Sequence, residues 1–260
     1  MKLSIYQVDA FTDNVFGGNP AAVCPLKEWI SADLMQKIAF ENNLSETAFF
    51  VREGDVFGLR WFTPRVEVDL CGHATLATAH VLFNELGYDK EEINFETKVG
   101  RLVVRKEKGR LMMDFPTTQM PRVSAPPILF QALGVHPTDE VFKTDDYMVI
   151  LEKEKHLADL NPDFKMLKEV NARGIIVTAP GDDVDFVSRF FAPQVGIDED
   201  PVTGSAHTKL TPYWSEKLGK EEMSALQISE RVGTLTVRNK GERVEILGNA
   251  LTFLRGEIEV

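Results

Sequence analysis

The sequence predicts an α/β protein of the α+β kind: two similar half-domains, each a curved, mostly antiparallel sheet around one central helix, related by a pseudo-twofold axis. Three observations predict it. Segments about half a chain apart repeat one another in order. A helix in the first half is apolar around most of its circumference, which only a wrapping sheet can bury. The segments flanking it are short, rich in β-branched and aromatic residues, and separated by turn residues, as strands are.

The repeats come first, because a missed period misreads the fold. Gly72-His73-Ala74 through Leu86-Gly87 lies over Gly204-Ser205-Ala206 through Leu218-Gly219 at an offset of 132. Val99-Gly100-Arg101-Leu102-Val103-Val104-Arg105 lies over Val232-Gly233-Thr234-Leu235-Thr236-Val237-Arg238 at an offset of 133, with five identities in seven. Upstream, Arg60 to Pro64 answers Arg189 to Pro193 at an offset of 129. The expected domains are 1–116 and 117–260, with the last strand, about 248–260, a candidate to cross back to the first half.

The first central helix carries Ala74, Leu76, Ala77, Ala79, Val81, Leu82, Phe83 and Leu86. Strands are expected over Ala48 to Val51, Leu59 to Phe62, Ile93 to Phe95, Leu102 to Val104 and Leu111 to Phe115. Ser31 to Asn42 reads as an outer helix, with Ser31 as N-cap and Leu34, Ile38 and Ala39 inward. Pro212 inside the second central helix should kink it, so the two copies are not equivalent. If two similar halves face one another, the helix ends at Gly72-His73 and Gly204-Ser205 point into one cleft. Their free N–H groups would then hold a carboxylate without any arginine.

Composition narrows the partners. The 260 residues are 43% hydrophobic and 27% charged, with no apolar run long enough for a bilayer span. Residues 1–9 alternate like a strand and show no secretory pattern. Two cysteines, Cys24 and Cys71, make no disulfide framework, so a reducing cytoplasm is expected. A net charge of −11 with no basic cluster argues against nucleic acid, while a local anion pocket for a small anionic metabolite remains compatible with it.

The chain has no G-x-S-x-G elbow, phosphate-binding loop, dinucleotide fingerprint or H-E-x-x-H. His73 and His80 share a helix face but lack a carboxylate at ligand spacing, so no metal is expected and His80 reads as packed or at the surface. Cys71 precedes the turn Gly72-His73, an electropositive place that would lower a thiol pKa. Its counterpart in the second copy is Thr203, which breaks any symmetric two-thiol scheme. Glu46 stands at the entry of the apolar strand Thr47-Ala48-Phe49-Phe50, where partial desolvation can suit a carboxylate to general-base work. Asp200 lies just before the second helix, where capping is the plain alternative.

The strings Gln7-Val8-Asp9-Ala10-Phe11-Thr12, Gly18-Asn19-Pro20-Ala21-Ala22-Val23, Asn43-Leu44-Ser45-Glu46-Thr47, Cys71-Gly72-His73-Ala74-Thr75 and Glu199-Asp200-Pro201-Val202-Thr203-Gly204-Ser205-Ala206 follow one another along the chain. In this the sequence resembles the PhzF-like (phenazine biosynthesis-like) isomerases, which share the diaminopimelate-epimerase-like fold. The resemblance implies that Glu46 is the catalytic base and that His73, Asp200, Gly72, Ser205 and Asn19 hold the substrate. It also implies a homodimer with no metal or organic cofactor. A neutral His73 is expected beside the helix N-terminus. Lys209 and Thr211 stand where smaller apolar residues are expected on the second helix, and the loop from Asp182 to Asp185 is acidic.

The expected activity is a cofactor-independent isomerisation that shifts a proton on a small carboxylate-bearing substrate. The alternatives are an amino-acid epimerase or racemase using Cys71, and a non-catalytic metabolite-binding or interaction protein. The joint presence of Glu46, His73 and Asp200 speaks against the last, since a binder has no need of a base.

Overall fold

The computed structural model describes residues 1–138 and 140–260. The chain forms two compact units, one of Met1–Phe115 with Arg243–Val260 and one of Pro116–Glu242. In the first unit the elements run β1 (Lys2–Ala10), β2 (Asn19–Leu26), α1 (Ala32–Asn42), β3 (Glu46–Glu53), β4 (Val56–Phe62), β5 (Glu67–Val68), α2 (Gly72–His80), β6 (Glu92–Thr97), β7 (Gly100–Glu107) and β8 (Arg110–Pro116). The second unit carries α3 (Pro127–Leu133), β9 (Val141–Lys143), β10 (Tyr147–Ile150), α4 (Glu154–Ala158), α5 (Phe164–Leu167), β11 (Ile175–Pro180), β12 (Phe186–Ala192), β13 (Ile197–Asp200), α6 (Gly204–Leu218), β14 (Glu222–Gln227) and β15 (Gly233–Asn239). The chain then returns to the first unit with β16 (Arg243–Gly248) and β17 (Ala250–Glu259). Strand β16 therefore joins β17 in the crossing segment. It pairs with β8, and Arg243 donates to Asp114 across that pair.

The repeat seen in the sequence is a repeat of topology. In the first unit β1–β2 is antiparallel, β2–β3 parallel, β3–β4 antiparallel, β4–β6 parallel and β6–β7 antiparallel. In the second, β9–β10, β10–β11, β11–β12, β12–β14 and β14–β15 follow the same alternation. A central helix fills the same place in each, α2 between β5 and β6, and α6 between β13 and β14.

Residues 73–80 of α2 are all buried. Its polar side chains find partners locally: the Thr75 and Thr78 hydroxyls donate to the Cys71 and Ala74 carbonyls at 2.6 and 2.7 Å. His80 is packed, with Nδ1 2.9 Å from Asn84 Nδ2 and Nε2 2.9 Å from Thr252 Oγ1. The helix does not run on regularly to Leu86, since Val81–Glu85 form a π-helical turn. Helix α1 begins at its expected cap, Ser31 Oγ accepting from Leu34 N. It buries Met35, Ile38 and Ala39 against Phe49, Val51 and Phe62, and Leu34 packs at the margin.

Helix α6 continues through Pro212. Proline has no N–H to give Thr208 O, and the backbone N–H of Thr118 takes that place at 3.2 Å. One face of α6 packs on β11 and β12: Trp214 stacks on Phe186 at 5.7 Å and donates to Thr178 Oγ1. On the opposite face of these strands, Ile175, Val177, Val187 and Phe191 pack with α3 and α5 in a second core.

His207 belongs to this buried helix. Its Nδ1–H donates to Thr203 O at 2.9 Å, and Nε2 has no partner among the described residues. Burial pushes its pKa down to about 4. The unfolded chain takes up this proton near pH 6.5 and the folded chain only near 4, so the unfolded state binds more protons in between. Stability complete above pH 6.5 should therefore fall by up to about 3 kcal/mol as pH drops toward 4. Urea unfolding at about pH 7 and about pH 4.5 should show His207→Gln losing less stability than the parent over that interval. An equal loss would assign the acid sensitivity to other groups.

Candidate active site

The site grows out of β2, β3 and the start of α2, all in the first unit. Strand β3 has both faces covered, which explains its unbroken apolar run. Phe49 and Val51 belong to the cluster under α1. Period two therefore turns Glu46, Ala48 and Phe50 to the other face, toward α2. Glu46 Oε2 lies 3.0 Å from His73 Nε2, with side chains only 12% and 5% exposed.

Asn19 closes the far side of the ring. Gly18 before it has φ +63°, and a Cβ there would sit 2.1 Å from Ala10 O, so only glycine makes this approach between β1 and β2. That turn delivers Asn19 into the interior, with Nδ2 3.2 Å from His73 Nδ1. Neither Gly72 nor Gly204 adopts a positive φ. Backbone conformation is not what calls for glycine at the two helix starts.

Two protonation expectations are corrected. Cys71, the N-cap of α2, is not an activated thiol. Burial, reinforced by the Glu46 charge, pushes its pKa up to about 11. His73 is drawn toward its charged form. Burial opposes that form, while the neighbouring Cys71 sulfur and Glu46 carboxylate favour it and raise the pKa above the ordinary histidine value. Because Cys71 keeps its proton, the charge that favours an imidazolium at neutral pH is that of Glu46, 3.0 Å away. Asn19 follows this charge: Nδ2 toward Nδ1 suits a neutral ring, and the imidazolium, donating from both nitrogens, requires Oδ1 there.

Glu46, Cys71 and His73 also bring three metal-ligating atoms within 4.8 Å of one another. The sulfur is 3.5 Å from Nδ1 and 4.0 Å from Nε2. Near-equal distances to the two nitrogens place it off both lone-pair directions. A shared tetrahedral ion would need the sulfur beside a lone-pair axis. The arrangement fits a thiol packed on an imidazole.

Helices α2 and α6 start alike. Their N-caps, Cys71 and Thr203, are extended; the Ala74 N–H turns to the Cys71 sulfur, and the N–H groups of Gly72, His73, Gly204 and Ser205 are left to meet an anion. In the second unit Thr203 Oγ1 donates to Asp200 Oδ2 at 2.5 Å, and Gln227 ties the turn together by accepting from Thr203 N and donating to Asp200 O. Asp200 thus braces the entry to α6, and Ser205 is half-buried in its first turn.

Arg173 is the residue that sequence reading missed. Its Nη2 lies 3.2 Å from Ser205 Oγ, so this helix start does have an arginine. The guanidinium is held by Asp146, which Lys209 also binds. Lys209 is therefore an internal ion-pair partner, and Thr211 donates to His207 O at 2.6 Å. The acidic loop is balanced in place, with Asp185 bonded to Lys220 and Ser224. The pair Asp145-Asp146 and the lone Arg173 form no motif, which is why the contact was not legible.

No helix among the described residues is long and apolar enough to cross a membrane. The sequence matches the phenazine biosynthesis-like protein family over residues 8–256. It is 53% identical to an uncharacterized isomerase of Pseudomonas aeruginosa, over the whole of each chain. A crystal structure of a PhzF family protein from Enterococcus faecalis superposes with a TM-score of 0.97 at 48% identity, covering all of each chain. A predicted epimerase of Pseudomonas aeruginosa shares the fold at a TM-score of 0.74 and 19% identity, over 99% of this chain and all but 1% of its own. With the duplicated topology and these full-length matches, the chain belongs to the PhzF-like, phenazine biosynthesis-like, family of isomerases.

Proposed function

We propose that the protein isomerises a small carboxylate-bearing substrate by a proton shift, with Glu46 as its single base and no cofactor. The observation that carries this reading is the enclosed Glu46–His73 pair at the start of α2. His73 Nε2 stands 3.0 Å from Oε2, and Oε1 is assigned to take the proton. Charge that develops on the substrate as the carbon acid loses its proton is met by the free N–H groups at Gly72 and His73, already oriented before reaction. The proton on Glu46 is then returned to another carbon on the same face, which one carboxylate can do along a conjugated system. Asp200 and Ser205 are assigned to holding the substrate, as is Asn19 through its contact with His73. A homodimer in the cytoplasm is part of the same reading, and light scattering tests the dimer.

In this scheme the Cys71 thiol does no chemistry, because burial keeps it protonated. Cys71→Ala should retain activity within about tenfold, roughly 1.4 kcal/mol of barrier. A loss of several decades would mean that an epimerase working through the thiol is the better account.

Glu46→Gln preserves size and removes the proton acceptor. Incubated in D₂O with a panel of cyclic and acyclic carboxylates, the parent should wash deuterium into its substrate by ¹H NMR. The Gln variant should be slower by a factor of about 10² to 10⁴. Its unfolding midpoint should stay close to that of the parent. Exchange at the parental rate would show that the proton leaves to another group.

A further inference from the structure

Four charged side chains meet beneath the first turn of α6. Ser205 and Lys209 are four residues apart, so they share one helix face. Lys209 is 4% exposed, and its ammonium lies 2.5 Å from Asp146 Oδ2 and 2.7 Å from Asp145 Oδ1. Asp146 is fully buried, a place where a carboxylate persists only if its lone pairs are well filled. Arg173 supplies the remaining bonds as a fork, Nε to Oδ1 at 2.9 Å and Nη2 to Oδ2 at 2.5 Å.

Several further contacts fix the guanidinium. The Arg173 backbone N–H donates to Asp145 O at 2.8 Å, its Nε is 3.2 Å from Asp145 Oδ2, and the Phe190 ring centre lies 5.6 Å from the guanidinium carbon. So held, Arg173 directs Nη2 at Ser205 Oγ, 3.2 Å away. A guanidinium only donates, so Oγ must accept there. The hydroxyl hydrogen then remains for another acceptor, and the cation behind it opposes a second positive group.

We infer that Arg173 is a positioning residue: through Ser205 it sets the start of α6 to receive an anionic oxygen of the substrate and to reject an ammonium group. The buried Asp146–Lys209 pair is the mount that holds the guanidinium. The inference rests on the reading that Ser205 contacts substrate, and it refines what that contact recognises.

The test needs no substrate. Ser205→Cys puts a thiol in place of the hydroxyl, and its pKa reports the potential there. Lys209, Arg173 and the helix N-terminus favour the thiolate, while Asp145, Asp146 and Asp200 oppose it. Burial drives the native thiols of Cys24 and Cys71 up to about 12 and about 11, so they stay silent near neutral pH. Adding Arg173→Gln to Ser205→Cys should raise the pKa of the introduced thiol by about one unit, read as roughly tenfold slower alkylation by iodoacetamide at about pH 7.

Iodoacetate, the anionic reagent, should lose a further factor of about three relative to iodoacetamide as the local cation disappears. Arg173→Lys keeps a charge for Asp146 but lacks the fork that reaches two partners, so the thiol pKa should also rise in that background. If the Gln variant does not fold, the Lys variant decides the matter. An unchanged pKa in a folded Arg173 variant overturns the inference and leaves the Glu46 reading untouched. Normal exchange by Glu46→Gln would sink that reading while leaving the titration intact.

Discussion

Burial of α2 on every side is the constraint from which the site follows. Residues 73–80 meet little water, so each polar side chain among them must be answered by protein. Thr75 and Thr78 turn back onto the helix backbone, His80 is taken by Asn84 and Thr252, and His73 lies between Glu46 and Asn19. Low local dielectric makes the Glu46 charge count heavily at His73. That pulls a histidine expected to be neutral toward its protonated form. The same burial has the opposite effect on Cys71, whose charged form would be a second anion beside Glu46.

Duplication repeats the backbone at α6 with different chemistry. Thr203 replaces the thiol, and Ser205 replaces His73 at the corresponding place. No carboxylate–imidazole pair forms around Ser205 among the described residues; instead Arg173, Asp146, Asp145 and Lys209 stand under that turn. One helix start carries a carboxylate–imidazole pair. The other presents donors backed by fixed charge. The two copies share a backbone and differ in the charged groups set against it.

Much of this was legible in the chain. Period and turn residues located β3, β4 and β6 to β8, and Ser31 marked the start of α1. The strings around Asn19, Glu46 and His73, well separated in sequence, do assemble at one place. The rest depended on distance rather than pattern. Nothing local to Arg173 signals that it reaches Ser205, 32 positions away. Lys209 read as a misfit because its partners, Asp145 and Asp146, lie on a distant strand entry. The π turn after His80, the short helices α3 to α5, and the placement of β16 with the first unit likewise arise from tertiary packing. Charge states were least accessible, since desolvation is set by neighbours that no motif names.

The central claim is that Glu46 holds His73 as an imidazolium, and ¹⁵N NMR of the His73 ring through a pH titration addresses it directly. Both ring nitrogens should carry protons at about pH 7 in the parent. In Glu46→Gln the ring should be neutral at that pH, with Nδ1 accepting from Asn19, because burial alone lowers a histidine pKa. A His73 that is already neutral near pH 7 in the parent, or that titrates identically in the two proteins, would contradict the account.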